Sequence, residues 1–183
     1  VARGKLYRSA HFAEATPADQ QRLDALGVSV LVDLRRPEER ENEPNLWPGA
    51  ENGKGVARTI ANDEGKANGL PPHLMALLNE EVSPRTVKQT MREIYAAFPF
   101  APRYVALFSA WFAELSTLDG AALVHCAAGN DRTGLICALT LHTLGVPQGA
   151  IFADYELSNT TIDLDERIAH MRLRGRPREA ADA

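Results

Sequence analysis

The segment His125–Gly134, which reads HCAAGNDRTG, constrains the fold of this chain more than any other. It follows an apolar run at Ala121–Val124 and precedes an apolar run with helical spacing at Leu135–Leu144. This order predicts a buried strand, a tight glycine-containing loop and a helix. Backbone N–H groups converge where a loop enters a helix, and the positive end of the helix dipole adds to them. The segment therefore predicts a binding site for a phosphate dianion.

Cys126 and Arg132, with five residues between them, are the candidate catalytic pair. The positive potential of such a loop favours the thiolate form of Cys126, which is the nucleophilic form. Arg132 offers a planar fork that holds two phosphate oxygens and stabilises the charge of the transition state. The alternative for a lone cysteine is a small buried apolar residue. We assign that alternative to Cys137, which lies among apolar residues of the following helix.

The other residues of the segment are predicted to bind the phosphate or to support the loop. Gly129 and Gly134 permit the backbone angles of a curled loop, and Thr133 is expected to donate its hydroxyl group to the cysteine sulfur. His125 is expected to hydrogen-bond the loop, because an attacking thiolate has no proton for a base to remove. The predicted phosphate-binding residues are Ala127, Ala128, Gly129, Asn130, Thr133 and Gly134.

Two aspartates are candidates for the general acid that protonates the leaving oxygen. Asp131 lies inside the loop, where a thiolate and a phosphate dianion favour a protonated carboxyl group, although the adjacent Arg132 acts in the opposite direction. Asp63 follows a predicted strand, and its simpler interpretation is an exposed turn residue. We favour Asp131 and keep Asp63 as the alternative. No metal or cofactor is expected, because Arg132 and the loop amides neutralise the phosphate.

Alternating strands and helices indicate an α/β fold with a mainly parallel central sheet flanked by helices. The phosphate-binding loop then lies between a central strand and a helix, and a length of 183 residues predicts a single domain over residues 1–183. The predicted strands are Val28–Leu34, Val56–Ile60 and Ala121–Cys126, and the predicted loops are Asn42–Gly55 and Asn62–Pro72. Helices are predicted from Pro17 to before Gly27, near Arg35–Arg40, from Ser83 towards Phe98, from Pro102, after the loop, near Gly149–Leu157 and at Ile162–Arg172. In the helix that begins at Pro102, the residues predicted to face the core are Val105, Phe108, Trp111, Phe112 and Leu115. A flexible polar tail is predicted from about Gly175.

The loop resembles the signature of the cysteine-dependent protein tyrosine phosphatases. Its Asp-Arg-Thr-Gly ending is similar to that of the atypical, lipid-phosphatase-like bacterial members, which have dual protein and phosphoinositide activity. Segments Gly4–Ala10, Val30–Arg35 and Asp154–Asn159 are similar to that group as well, so the resemblance covers most of the chain. Asn130 departs from it, because several relatives carry a lysine there that adds positive charge for acidic lipid headgroups. The chain also ends soon after Asn159, so we expect the usual C-terminal segment to be short or missing.

The resemblance implies a phosphatase acting on phosphotyrosine, with phosphoserine, phosphothreonine or phosphoinositide as further substrates, through a phosphocysteine intermediate. In the family, the stretch that holds Asp33 and Arg35 flanks the site, and both structural support and substrate contact stay open for each. A catalytically impaired phospho-binding module is one alternative function. A sulfurtransferase is another, although such loops are commonly shorter and lack the Arg-Thr-Gly ending. A role as a redox sensor is compatible with the phosphatase function, because a reactive thiolate oxidises readily to sulfenic acid.

Composition limits the partners and the location. A net charge of −4 gives no reason to expect nucleic acid or a membrane surface as partner, and no apolar run approaches the length of a membrane span. Two cysteines form no disulfide framework, and a catalytic thiol suits a reducing compartment, so we expect a cytoplasmic location. The chain begins at Val1 without Met, which leaves open that residues precede it. The expected partner is a phosphorylated protein or a small phosphomonoester, and the oligomeric state is open.

Overall fold

The computed structural model describes residues 2–47, 58–63 and 84–157. Its strands form one four-stranded sheet in the order β1-β4-β2-β3, and every pair of neighbours is parallel. This arrangement confirms the predicted α/β fold with a mainly parallel central sheet. The strands are β1 (Leu6–Ser9), β2 (Val28–Asp33), β3 (Arg58–Ile60) and β4 (Ala121–His125).

Six α-helices flank this sheet in the described part of the chain, and most begin at a proline, whose fixed φ suits the first helical turn. The first helix also has a complete capping box, in which Thr16 and Asp19 each accept the other's backbone N–H. The helices are α1 (Pro17–Asp24), α2 (Pro37–Asn42), α3 (Pro84–Ala97), α4 (Pro102–Ser116), α5 (Asp131–Thr143) and α6 (Gln148–Glu156), with a 3₁₀ turn at Phe98–Phe100.

Strand β4 lies between β1 and β2, and all of its residues are buried. The register places its last residue, His125, opposite Ser9 of β1 and Asp33 of β2. The three strands therefore end level with one another. Because parallel strands run the same way, the residues that follow all three gather at one edge of the sheet, where ligands bind in such folds.

The core occupies both faces of the sheet. On one face the buried side chains of α4 and α5 pack against β2 and β4, and the Trp111 indole N–H donates to Thr140 Oγ at 2.9 Å. Phe108, Trp111, Phe112 and Leu115 contribute to this core as predicted, but Val105 does not, because it is 46% exposed. Leu107 is the buried residue instead, since the helical stripe continues from Tyr104 through Leu107 and Phe108 to Trp111.

Cys137 packs against the same core from α5, and burial raises the pKa of its thiol to about 11. This position agrees with the structural role predicted for it. On the opposite face a smaller cluster is formed by the buried residues Phe12, Val28, Leu31, Trp47, Ala121 and Leu123.

Several predicted elements lie outside the described residues. They are the helix at Ile162–Arg172, the tail from Gly175, the first residues of the strand predicted at Val56–Ile60, and most of the loops predicted at Asn42–Gly55 and Asn62–Pro72. None of the helices in the described ranges has both the length and the apolar character needed to cross a bilayer.

Candidate active site

The predicted phosphate loop connects β4 to α5. Cys126 stands at its start and is 2% exposed, while Asp131 opens the helix. Gly129, inside the loop, has φ +72°, a conformation that side chains with a Cβ rarely adopt. A Cβ at this position would lie 2.6 Å from the carbonyl carbon and oxygen of Ser9. The loop therefore packs directly on the end of β1, and only glycine fits there.

Arg8 of β1 braces the loop from the neighbouring strand. Its Nη2 donates to the carbonyl oxygen of Gly129 at 2.9 Å, and its Nη1 donates to Asp154 Oδ2 on α6 at 3.0 Å. One guanidinium thus ties β1, the loop and α6 together. Arg8 lies in one of the segments that resemble the family, but no pattern in the sequence assigns it a role. The role of Arg8 depends on the pairing of β1 with β4, and the sequence alone does not predict that pairing.

Arg132 is oriented by Glu39 of α2. Its Nη1 donates to Glu39 Oε2 at 2.6 Å and to the Leu34 carbonyl oxygen at 3.3 Å, and its Nη2 donates to Glu39 Oε1 at 2.7 Å. Both hydrogens of Nη1 and one of Nη2 are thereby engaged. The Nε–H and the second Nη2–H, which lie along one side of the guanidinium plane, remain to bind two phosphate oxygens.

Glu39 was missed because it lies in the charged run that follows β2, which reads as a solvated face. In the structure its side chain is 18% exposed. Burial disfavours its carboxylate, but the hydrogen bonds from Arg132 outweigh burial and lower its pKa to about 2. The same carboxylate accepts the backbone N–H of Arg36 at 2.7 Å and so caps α2. Glu39 is therefore an ionised anchor for the arginine of the loop.

Asp33 and Arg35 form a buried ion pair beside the loop. Arg35 Nη2 donates to Asp33 Oδ2 at 2.7 Å, Arg35 Nε donates to both carboxylate oxygens, and Arg35 Nη1 donates to the Glu43 carbonyl oxygen. Burial opposes ionisation of Asp33, but the hydrogen bonds and charge of Arg35 outweigh it and lower the Asp33 pKa. Because the two charges satisfy each other in the interior, this geometry favours structural support over substrate contact.

His125 is fully buried under the loop, and its hydrogen bonds define its tautomer. The Phe12 N–H donates to Asn45 Oδ1 at 3.0 Å, so the Asn45 amide directs its NH₂ group at His125 Nε2, also at 3.0 Å. Nε2 is therefore an acceptor, and Nδ1 carries the proton and donates to the Cys126 carbonyl oxygen at 3.1 Å. Burial lowers the His125 pKa to about 4, which keeps the ring neutral. Asn45 is a second residue that sequence reasoning missed.

Thr133 is the loop hydroxyl that faces the interior. It is fully buried on the first turn of α5, and its Oγ has no hydrogen-bond partner within the part of the chain that the structure describes. Its O–H is therefore available to a thiolate or to a phosphate oxygen. Asn130 Oδ1 and Ser9 Oγ are likewise buried beside the loop without a partner among the described residues.

The two candidate acids have different neighbours. The Asp131 carboxylate accepts a hydrogen bond from the phenol of Tyr95, which comes from α3. The side chain of Asp63 is 81% exposed and forms an ion pair with Arg40. Arg103 of α4 was also missed: it is buried and donates to the carbonyl oxygens of Arg35 and Asn62, which holds the chain next to Asp63 at this edge of the sheet.

Comparison with known proteins gives one family. A family model described as the tyrosine phosphatase family matches residues 1–182. A protein of Cupriavidus necator, provisionally named a tyrosine-protein phosphatase, is 36% identical over 87% of this chain and 55% of its own length. A tyrosine-protein phosphatase of Nostoc commune is 31% identical over 89% of this chain and 53% of its own length. The triple specificity protein phosphatase PtpB of Mycobacterium tuberculosis is 28% identical over 92% of this chain and 66% of its own length.

The chain spans about half the length of the first two of these curated relatives. Among solved structures, Pseudomonas aeruginosa TpbA matches with a TM-score of 0.41 at 20% identity, over 95% of this chain and 81% of that one. A human tyrosine phosphatase-like serine/threonine/tyrosine-interacting protein matches with a TM-score of 0.38 at 15% identity, over 85% of this chain and 80% of that one.

Proposed function

The chain belongs to the tyrosine phosphatase family, and from that premise we propose that it hydrolyses phosphomonoesters, phosphotyrosine first among them, through a phosphocysteine intermediate. The observation that carries this proposal is the arrangement of Arg132. Glu39 engages one end of its guanidinium, which leaves the Nε and Nη2 side for two phosphate oxygens beside the N-terminus of α5. Such a fork together with converging backbone N–H groups stabilises the charge on the equatorial oxygens during phosphoryl transfer.

In the proposed reaction Cys126 attacks in line as the thiolate. The S–P bond forms as the bond between phosphorus and the leaving oxygen breaks, and the general acid transfers its proton to that oxygen. Water then attacks the phosphocysteine and gives a proton to the same carboxylate, and the thiolate leaves. The buried Thr133 hydroxyl stabilises the sulfur anion in both steps. The Nδ1–H of His125 holds the Cys126 carbonyl oxygen, and so fixes the loop without taking part as a base.

For the substrate we propose phosphotyrosine, with activity on phosphoserine, phosphothreonine or phosphoinositide in addition. The relative from Mycobacterium tuberculosis is named a triple specificity protein phosphatase, which supports a broad substrate range. Ala127 and Ala128 support it as well, because their small side chains leave the floor of the loop uncrowded. Asn130 weakens the lipid part of this range, since it brings no positive charge. We propose a cytoplasmic location, where a reducing environment preserves the thiol.

The proposal is tested by hydrolysis of an aryl phosphate under reducing conditions with EDTA present. We expect turnover by the wild-type protein and its loss in Cys126→Ser, because a serine hydroxyl is not ionised near neutral pH. Cys137→Ala is the matched control, since it removes the other thiol from the packed face of α5, and its activity should persist. An inactive, folded wild-type protein that still binds inorganic phosphate would instead favour a phospho-binding module.

Assignment of the acid requires two substrates. We propose Asp131, because it opens the helix beside Arg132 and has a neutral phenol as partner, whereas Asp63 is exposed and paired with Arg40. Asp131→Asn is expected to lower kcat on an alkyl phosphate by about 10²-fold or more and to affect an activated aryl phosphate far less, since only the poor leaving group needs the proton. The same pattern in Asp63→Asn, with Asp131→Asn unaffected, would transfer the role to Asp63.

A further inference from the structure

Two tyrosines from helices distant in sequence meet at Asp131. The phenol of Tyr95, near the end of α3, donates a hydrogen bond to Asp131 Oδ1. The Tyr155 hydroxyl, near the end of α6, lies 3.0 Å from the Tyr95 hydroxyl. The mechanism proposed above uses neither phenol. Both side chains are half-buried, and together they form a line of hydroxyl groups that ends on the carboxyl group beside Arg132.

The direction of these hydrogen bonds follows from the chemistry of the three groups. An ionised carboxylate only accepts hydrogen bonds, so Tyr95 uses its single hydrogen on Asp131. Tyr155 must then be the donor in the contact between the two hydroxyl groups. Burial and the hydrogen bond to Asp131 raise the pKa of Tyr95, so this phenol stays protonated and acts as a donor, not as a base.

The hydrogen bond from Tyr95 therefore occupies Oδ1 of the Asp131 carboxylate. When Asp131 takes up a proton, Oδ1 still accepts from Tyr95, and the proton goes to Oδ2, the oxygen that is not held by the phenol. We propose that Tyr95 is a positioning residue, which fixes the Asp131 carboxyl group so that Oδ2 presents its proton to the leaving oxygen, and that Tyr155 holds the Tyr95 phenol in place. This inference rests on the proposed function and on Asp131 as the acid.

Because Gly134 has no side chain, Tyr155 can approach the Tyr95 hydroxyl across α5. A Cβ at position 134 would lie 2.4 Å from a ring carbon of Tyr155, so the aromatic ring lies directly on the backbone of α5. The ring of Tyr95 in turn meets that of Phe98 edge-on, with centroids 5.8 Å apart. Each phenol is thus oriented by packing against a neighbouring element, α5 for Tyr155 and the 3₁₀ turn for Tyr95, as well as by its hydrogen bonds. Oriented groups of this kind fix a proton donor at little entropic cost during the reaction.

The test compares Tyr95→Phe with the wild-type protein on an alkyl phosphate and on an activated aryl phosphate. Loss of the hydroxyl releases Asp131, so we expect kcat on the alkyl phosphate to fall roughly tenfold, a fraction of the whole effect of a general acid, with less than about a twofold change on the aryl phosphate. Tyr155→Phe should show the same pattern with a smaller loss. Tyr7→Phe, which removes a phenol from the opposite face of the sheet, is the control and should leave both rates unchanged.

The dependence on the leaving group separates positioning from folding. A displaced acid slows only the step that needs its proton, so we expect the ratio of kcat on the aryl phosphate to kcat on the alkyl phosphate to rise in Tyr95→Phe. A variant that is only less stable would lose both activities equally and keep the wild-type ratio.

Several outcomes overturn the inference and leave the phosphatase standing. They are an equal loss on both substrates in Tyr95→Phe, and an Asp131→Asn variant without dependence on the leaving group, each found with an active wild-type protein and an inactive Cys126→Ser. An inactive wild-type protein would instead overturn the proposed function, and the inference with it.

Discussion

Glu39→Gln is the change that most directly tests how the site is held together. The substitution keeps the shape of the side chain but removes the charge that faces Arg132 across distances of 2.6 and 2.7 Å. Arg132 would then be a partly buried cation without its anion, which is more damaging than losing both partners. We expect a less stable protein whose arginine no longer presents its free side to phosphate.

The size of the effect follows from the pKa of Glu39, which is about 2 in the folded protein against an ordinary value of 4.5. Each pKa unit of difference between the folded and unfolded states corresponds to about 1.4 kcal/mol, so the ionised carboxylate contributes up to about 3 kcal/mol to the free energy of unfolding. Because the folded-state pKa is the lower one, this contribution is fully present above pH 4.5. It is lost as the pH falls towards 2.

Urea unfolding of the wild-type protein and Glu39→Gln between pH 3 and pH 7 measures this contribution. The difference in the free energy of unfolding should be largest above pH 5 and should shrink steadily below it. Glu41→Gln, at an exposed position of the same helix, is the control and should leave the curve of the wild-type protein unchanged. A difference that does not vary with pH would refute the reasoning, because an uncharged packing effect has no such dependence.

Two further predictions concern the loop and the residue beneath it. Gly129→Ala should lower the free energy of unfolding, measured with urea, by more than Gly145→Ala does. Both glycines have positive φ, which costs a residue with a Cβ about 1–2 kcal/mol. Only at position 129 would the Cβ also lie 2.6 Å from backbone atoms, whereas no atom lies within 4 Å of a Cβ at position 145. Equal losses would show that the loop does not pack closely on Ser9. Buried neutral His125 has a pKa of about 4 against 6.5 when free, so the wild-type protein should lose up to about 3 kcal/mol between pH 6.5 and pH 4. His125→Gln should flatten that interval in urea unfolding and exposed His142→Gln should not; a curve unchanged by His125→Gln would contradict the assignment.

The loop was predictable because its structure and its chemistry are both local. The apolar strand, the glycines and the helix that follows lie within a short stretch of sequence, and the signals for each element stand next to one another. Gly129 illustrates this, since a glycine within a curled loop predicts a positive φ and the structure has +72°. Local signals also gave α1, α2 and α4, whose prolines mark their first turns.

The residues that hold the loop were not predictable, because they meet it only through the topology of the sheet. Glu39 lies 93 positions from Arg132, and Arg8 lies 121 positions from Gly129. In the sequence Glu39 is one of several charges on a helix of six residues, which is too short for a periodic pattern to separate an inner from an outer face. The prediction that Val105 faces the core was wrong for a related reason, because one position along a helix separates the buried stripe from the exposed side.

Under the proposed function, the geometry around Arg132 explains why an arginine suits this position better than another positively charged residue. Glu39 and the Leu34 carbonyl oxygen occupy three of its five N–H donors, and the remaining two lie together on one side of the plane. A single rigid group therefore binds an anchor and keeps a matched pair of donors for the phosphate of the proposed reaction. A lysine has one ammonium group without a fixed plane, so an anchoring carboxylate would compete with the substrate for the same charge. The partly buried Glu39 and the arginine of the loop thus form one unit, although only the arginine belongs to the sequence motif.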